Sequence, residues 1–363
     1  MVYIIVGWLK QLKKIVFQQE NKLENNISVV IAFRNESNNI IACLSALEKQ
    51  LYGNNLFEVV LINDHSEDNS VEQIEGYQEK SKLNIQLLHL SSEHGKKAAL
   101  KLGIENANYC IIASTDADCE VPVNWLSYIN QSFNNNNNNE TAMLLGPVGF
   151  KEQTSNNLLL DGFQELDFLA MQALTFGALG NNLPILNNGA NIAYRKVIFE
   201  NVNGFDKHKT PSGDDVFLLE KFISQQQVVN GILDKKFIVK TDKTTTFSAF
   251  LQQRLRWASK AKKYKNSNLI YFSSIVYLSN LIQLLIYAEI LLVDSFWVVG
   301  IILLTSKWLI DFILLYLAAN FFNKKKHLVL FVFVVLIYPI YIVFIGLLAL
   351  ITDFKWKGRK YHE

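Results

Sequence analysis

From residue 25 to about residue 268, short apolar runs alternate with polar and charged segments; from 269 onward the chain is almost continuously apolar. Within the first region, residues 27–33, 57–62, 85–90 and 109–114 are apolar runs without the alternation of a half-exposed strand. One helical stretch follows the first run, to about Leu51, and another opens at Gly95-Lys96-Lys97 and continues through Ala107. Apolar strands separated by helices predict an α/β architecture with a parallel sheet covered on both faces. Ligands of such sheets bind beyond the carboxyl ends of the strands.

In the second region, residues 269–293, 296–319 and 328–351 are each long enough, at about 1.5 Å per residue, to cross a hydrocarbon core about 30 Å thick. Core helices of that length carry a polar face, whereas 328–351 has no charged residue, so membrane spans are the better reading. Arg254, Arg256, Lys260, Lys262, Lys263 and Lys265 precede the first span and place that side in the cytoplasm by the positive-inside bias. A very short turn at Asp294-Ser295 and a return loop at Asn323-Lys324-Lys325-Lys326-His327 come next. The tail is basic too, at Lys355, Lys357, Arg359 and Lys360, so either the tail is external or one hydrophobic segment is re-entrant. Lys307 and Asp311 stand four apart inside the second segment, a spacing that lets them pair.

At the N-terminus, Ile4, Ile5, Trp8, Leu9, Leu12, Ile15 and Val16 recur at helical spacing opposite Lys10, Gln11, Lys13 and Lys14. The pattern predicts a helix lying in the membrane interface with its lysines toward anionic headgroups. A cleaved signal peptide would place its charges ahead of the apolar stretch. The asparagine run 134–139 reads as a loop insertion.

Composition adds exclusions. Of 363 residues half are apolar and 19% charged, which excludes disordered and collagen-like classes. A formal net charge of +2 gives no reason to expect a nucleic-acid partner. Three cysteines, Cys43, Cys110 and Cys119, match no disulfide framework and no zinc spacing, so a reducing compartment is the expectation. Neither a Gly-x-Gly-x-x-Gly nor a phosphate-loop signature is present, which argues against a dinucleotide oxidoreductase or a nucleoside triphosphatase.

Four strand ends carry polar chemistry: Arg34 and Glu36, Asp64, Lys96, and Asp116 with Asp118. Two carboxylates one residue apart at a strand terminus can present oxygens to a hard divalent cation and leave its other positions for a diphosphate. Alone, an Asp-x-Asp is more often a solvated turn; at the end of the fourth strand of a parallel sheet it suits a metal–diphosphate site. Further on, Asn188-Gly189-Ala190-Asn191 precedes Ser212-Gly213-Asp214-Asp215, which opens an amphipathic helix. Acids there serve either as helix caps or as chemistry. Gln253, Arg256 and Trp257 share one helix face just before the first span. That face suits headgroup anchoring or, pointing back to the sheet edge, an acceptor sugar and a diphosphate.

Taken in order, Ala32-Phe33-Arg34-Asn35-Glu36, Asp64, Lys96, Asp116-x-Asp118, Asn188-Gly189-Ala190-Asn191, Asp214-Asp215 and Gln253-x-x-Arg256-Trp257 resemble the family 2 glycosyltransferases. The closer likeness is to membrane-embedded members: cellulose, chitin and hyaluronan synthases and ceramide glucosyltransferase. The resemblance implies a GT-A fold, a Rossmann-like mixed sheet followed here by transmembrane helices. It also implies inverting transfer from a nucleotide sugar, most often a UDP-sugar, with Mg²⁺ or Mn²⁺. Carried over, Arg34, Glu36 and Asp64 would hold the uridine and Lys96 would sit near the diphosphate. Asp116 would contact the nucleotide or donor sugar and share the metal with Asp118, its main ligand. Asp215, with Asp214 beside it, would be the general base, and Asn191 would line the acceptor side. Gln253, Arg256 and Trp257 would bound the acceptor and pyrophosphate. Two departures are visible: Asn63-Asp64 stands where members often have two acids, and Asp214-Asp215 replaces Glu-Asp.

The domains expected on this reading are an interfacial helix (1–24), a GT-A domain (25–245), a juxtamembrane amphipathic helix (246–268), a membrane region of about three segments (269–352) and a basic tail (353–363). The expected setting is a bacterial-type cytoplasmic membrane with the catalytic domain cytoplasmic, and the expected acceptor a membrane-associated lipid or glycan. A processive polysaccharide synthase is the alternative within the class. Outside it stand a nucleotide-binding membrane scaffold or transport component, and a paired-carboxylate hydrolase, which needs no metal–diphosphate site.

Overall fold

A computed structural model of the chain describes residues 1–14, 25–134, 141–152, 157–205, 213–293 and 297–351, with backbone alone for Phe354–Trp356 and Arg359–Tyr361. Residues 15–17 of the N-terminal pattern, asparagines 135–139, Ser212, the Asp294-Ser295 turn and the side chains of the basic tail lie outside the described residues.

In chain order the first elements are α1 (Val2–Lys13), β1 (Ile27–Phe33), α2 (Ile40–Glu48), β2 (Phe57–Asn63), α3 (Ser70–Gln78), β3 (Ile85–His89), α4 (Lys96–Asn106), β4 (Ile111–Ser114) and α5 (Trp125–Asn134). Then come β5 (Met143–Leu145), β6 (Val148–Phe150), α6 (Leu158–Leu179), β7 (Ile192–Arg195), α7 (Lys196–Asn201), α8 (Asp214–Ser224), β8 (Val229–Gly231) and β9 (Val239–Thr241). The last are α9 (Phe247–Ala258), α10 (Ser267–Leu292), α11 (Trp297–Phe321) and α12 (Phe331–Ile351). They group into two compact units whose segments interleave along the chain. A sheet unit comprises Lys10–Lys151 and Leu186–Asp242; a helical unit comprises Met1–Leu9, Glu152–Ile185 and Lys243–Glu363.

In the sheet unit seven strands run in the order β3-β2-β1-β4-β7-β5-β8. β1 to β4 are parallel, as their unbroken apolar runs predict, and every residue of β2 is buried. The other half is mixed: β7 is antiparallel to both β4 and β5, and β8 is parallel to β5. Phe33 stands level with Asn63, and Asn63 with His89, so Arg34, Asp64 and the segment after β3 leave the sheet at one edge. Chain order reverses between β1 and β4, which opens the crevice where such sheets bind ligands. A small second sheet pairs β6 with β9, and Glu120 bridges to Lys240 beside it.

The helical unit contains three helices long and apolar enough to cross a membrane. No more than 22% of any of their apolar windows is buried inside the protein, which distinguishes them from core helices. α10 and α9 both pack on α12, and α6 packs on α11. α12 continues unbroken through a buried Pro339. The expected Lys307–Asp311 pair forms, at 2.7 Å.

The N-terminal helix departs from a single apolar stripe. Ile4 and Trp8 are buried, with Trp8 edge-on to Phe321 at 5.8 Å. Gly7 lies so close to α6 that an added Cβ would collide with the Gly177 carbonyl oxygen, and Gly180 meets Gly7 in the same way. Small residues let two helix backbones approach, so part of the apolar pattern serves helix packing. Val2, Tyr3, Val6 and Leu9 stay exposed, while Gln11, expected on the polar face, is buried and donates to the Gly231 carbonyl.

Candidate active site

Three elements of the sheet unit bring one ionic cluster together. Lys96 opens α4 behind Gly95, whose φ of +100° suits a glycine. Its Nζ lies 2.5 Å from Asp116 Oδ1, just past β4, and 3.4 Å from Asp214 Oδ2, in the first turn of α8. Burial disfavours the ammonium, but Asp116, Asp214 and Asp215 outweigh it and raise the pKa of Lys96. Gly213, with φ of +87°, turns the chain into α8. Asp215 accepts from the Gly189 N–H at 3.2 Å and the Val216 N–H at 2.8 Å. A Cβ on Gly189 would stand 3.5 Å from Asp215 Cβ, 3.7 Å from Lys96 Nζ and 3.8 Å from Asp214 Oδ2, so the Asn188–Asn191 turn lies directly on the cluster.

Beside it, the turns after β1 and β2 are stitched together. Asn35 N–H donates to Ser66 Oγ at 3.0 Å, Glu67 N–H to Asn35 Oδ1 at 2.8 Å, and Ser37 N–H to Asp68 Oδ2 at 2.9 Å. Asp68 also accepts from the Ser70 N–H at 3.1 Å. Burial would raise the Asp68 pKa, but the hydrogen bonds from Ser70 and Ser37 prevail and hold it at about 2. This brace, which sequence reading missed, fixes the turn bearing Arg34 and Glu36. Arg34 pairs with Glu67 at 3.4 Å, and Glu36 accepts from Asn39 at 2.8 Å. Asp64 is 3% exposed and accepts the Gly95 N–H at 3.0 Å, which ties the end of β2 to the start of α4.

Asp116 and Asp118 bring carboxylate oxygens within 4.8 Å of each other, with the Cys119 thiol also in range. Burial first, then Asp118 and Asp116, raises the pKa of Cys119 well above the ordinary thiol value, and its Sγ donates to Asp118 Oδ1 at 3.4 Å. The ligands on offer are therefore two hard oxygens, a donor set that fits Mg²⁺ or Mn²⁺. Lys151 was missed as well: its Nζ donates to the Asp118 carbonyl at 3.0 Å and pairs with Asp242 at 3.2 Å. The β6–β9 pairing creates that contact, and no local pattern announces it.

One expected site residue is fully enclosed. Asn191 is 1% exposed; its Oδ1 accepts from Trp125 Nε1 at 2.9 Å, and its amide donates to the Pro147 and Phe237 carbonyls at 3.0 and 2.9 Å. With its polar atoms committed to protein partners, it holds the turn beneath the cluster. Gln253, Arg256 and Trp257 belong to the helical unit, on α9, and are half-buried. Between them Arg254, read from sequence as a flanking charge, is buried. It pairs with Asp167 of α6 at 2.6 Å, donates to Gln253 Oε1 at 2.8 Å, and covers the Trp257 ring at 4.2 Å. Tyr338 donates to the other Asp167 oxygen at 3.0 Å.

Two overlapping family models match the chain. Residues 28–174 match glycosyl transferase family 2, and residues 111–351 match glycosyl transferase family group 2. The chain belongs to the family 2 glycosyltransferases. Glycosyltransferase AglE of Haloferax volcanii is 32% identical over 100 residues, 28% of this chain and 33% of AglE. The poly-beta-1,6-N-acetyl-D-glucosamine synthase of Staphylococcus epidermidis is 29% identical over 124 residues, 34% of this chain and 29% of the synthase. The chain thus covers about a third or less of these relatives. A solved mannosyltransferase, PcManGT from Pyrobaculum calidifontis in complex with GDP-Man and Mn²⁺, superposes over 92% of this chain and 94% of its own, with a TM-score of 0.58 and 15% identity. At that identity the likeness is one of fold, and the mixed sheet followed by apolar helices is the GT-A arrangement expected of a family 2 glycosyltransferase.

Proposed function

We propose that this glycosyltransferase carries out inverting transfer of a sugar from a nucleotide sugar to a membrane-associated lipid or glycan acceptor, with its catalytic domain on the cytoplasmic side. The convergence of Lys96, Asp116, Asp214 and Asp215 around Gly189 carries the reading. Arg34, Glu36 and Asp64 contact the nucleoside from the braced turns after β1 and β2. Asp116 and Asp118 would hold Mg²⁺ or Mn²⁺, whose contribution when bound is to neutralise charge on the diphosphate. Lys96 donates charge-assisted hydrogen bonds to the same phosphate oxygens. The acceptor hydroxyl oxygen bonds to the anomeric carbon from the face opposite the diphosphate. The bond from that carbon to the phosphate oxygen breaks, its electron pair leaves with the nucleotide, and Asp215 takes the hydroxyl proton. Within the helical unit, the α9 face of Gln253, Arg256 and Trp257 would serve the acceptor.

Resemblance implies UDP, whereas the fold neighbour was solved with GDP-Man, so both donor classes belong in the test. Purified enzyme in lipid, given UDP- and GDP-sugars, is expected to release nucleotide only with divalent metal and to add one sugar mass to an extractable lipid. Similarity to the polysaccharide synthase supports a processive variant, whose product would be a polymer. Absence of metal-dependent release from every donor would leave a nucleotide-binding scaffold as the better account.

A further inference from the structure

Sequence reading used Asp64 but neither His65 nor His94, and the structure places all three together at the carboxyl edge of the sheet unit. His65 Nδ1 lies 3.3 Å from Asp64 Oδ1, and His94 Nδ1 lies 3.2 Å from His65 Nδ1. All three atoms fall within 4.8 Å of one another. The imidazole rings stand 4.2 Å apart between centroids. A tetrahedral Zn²⁺ with bonds of about 2.0–2.1 Å sets its ligand atoms about 3.3–3.4 Å apart, and two of the three edges here already have nearly that length.

One tautomer of His65 suits an ion. With its Nε2–H turned to the Ser91 carbonyl, 3.4 Å away, Nδ1 keeps a lone pair. Nδ1 then faces a carboxylate oxygen on one side and a second imidazole nitrogen on the other. A proton bridges a single edge of that triangle; a divalent ion serves all three. Asp64 is buried and anchored by the Gly95 N–H, His65 is half-buried, and His94 is exposed, so two ligands are fixed and the third closes from solvent.

We propose that Asp64, His65 and His94 form a site for a borderline transition-metal ion of the Zn²⁺ class, its fourth position open to water. The nitrogen-rich set separates it from the all-oxygen pair Asp116 and Asp118, which suits Mg²⁺ and Mn²⁺. The proposal shares Asp64 with the transfer reading, and its test does not use activity, so the two can fail separately.

Full-length protein in detergent, saturated with Mg²⁺ to fill the oxygen site, is titrated with Co²⁺ as the spectroscopic stand-in for Zn²⁺. The expected result is one equivalent of four-coordinate Co²⁺, seen by its visible absorption and displaced by Zn²⁺. Second-shell losses typically cost about 10–100-fold in metal affinity, so removing a ligand by His94→Ala is expected to cost more than about 100-fold. His65→Asn, chosen because Asn tolerates the φ of +57° at that position, is expected to do the same, and His89→Gln to leave binding intact. Circular dichroism separates loss of the site from loss of fold. No four-coordinate spectrum in the wild type, or one that survives both His94→Ala and His65→Asn, overturns the proposal.

Discussion

The two units handle charge in opposite ways. In the sheet unit Lys96, Asp116 and Asp214 keep 21%, 35% and 12% of their side chains exposed. In the helical unit Arg254 and Asp167 keep 4% each, while Lys243 and Glu165, 2.8 Å apart, keep 7% and 1%. Around Asp167 the partners come from protein: the Arg254 guanidinium on one oxygen, the Tyr338 hydroxyl on the other. With both oxygens taken by protein groups, the Asp167 carboxylate has little left to offer a ligand. The half-open cluster keeps part of its side-chain surface accessible, which suits charge that arrives and departs with a substrate.

The sharpest way to break this contrast is Asp215→Asn, which keeps the shape and removes the proposed base. Turnover is expected to fall about 10²–10⁴-fold, with nucleotide binding by calorimetry retained and stability lowered by only about 1 kcal/mol for the one lost N–H acceptor; wild-type turnover would remove Asp215 from that role. Next comes Asp167→Ala. Removing one partner from a buried pair strands Arg254, and the expected loss is about 3–5 kcal/mol of stability. Thermal unfolding in detergent checks it, and a loss below about 1 kcal/mol would mean the pair behaves like a surface salt bridge.

Asn191→Ala separates support from contact. Orphaning the Trp125 N–H and two carbonyls is expected to cost about 1–3 kcal/mol, without a selective rise in the acceptor KM. A raised KM at unchanged Tm would return Asn191 to the acceptor surface. Smallest is the effect at Asp68. Its folded pKa of about 2 lies below the ordinary 3.8, so the carboxylate contributes stability fully above pH 3.8 and loses it as pH falls toward 2. Asp68→Asn is expected to cost about 1 kcal/mol at neutral pH and to flatten the stability profile in that acid window, as read by unfolding midpoints.

Legibility followed the length of the pattern. β1 to β4 announce themselves as apolar runs, and Lys96 and Asp116 sit at their ends. β5, β7 and β8 have three or four residues each, too short for periodicity to register, so the antiparallel placement of β7 had no local signal. α6 reads locally as one more amphipathic helix with acids at Asp161, Glu165 and Asp167, yet it packs with the apolar helices and buries the last two acids. Within Gln253-Arg254-Leu255-Arg256-Trp257, both arginines read as charges flanking the first span, and only the position of Asp167 selected Arg254 for burial. The partners of Asn191 were illegible for the same reason: Trp125, Pro147 and Phe237 lie at least 44 residues away in the chain.

By itself the sequence determined the parallel half of the sheet, the three apolar helices and the chemical identity of the acidic and basic groups. Hydrophobic periodicity and residue type act over a few neighbours, and they are read along the chain. Tertiary structure alone decided which of those charges were enclosed and which stayed open, because the cost of burying a charge depends on partners brought from distant segments.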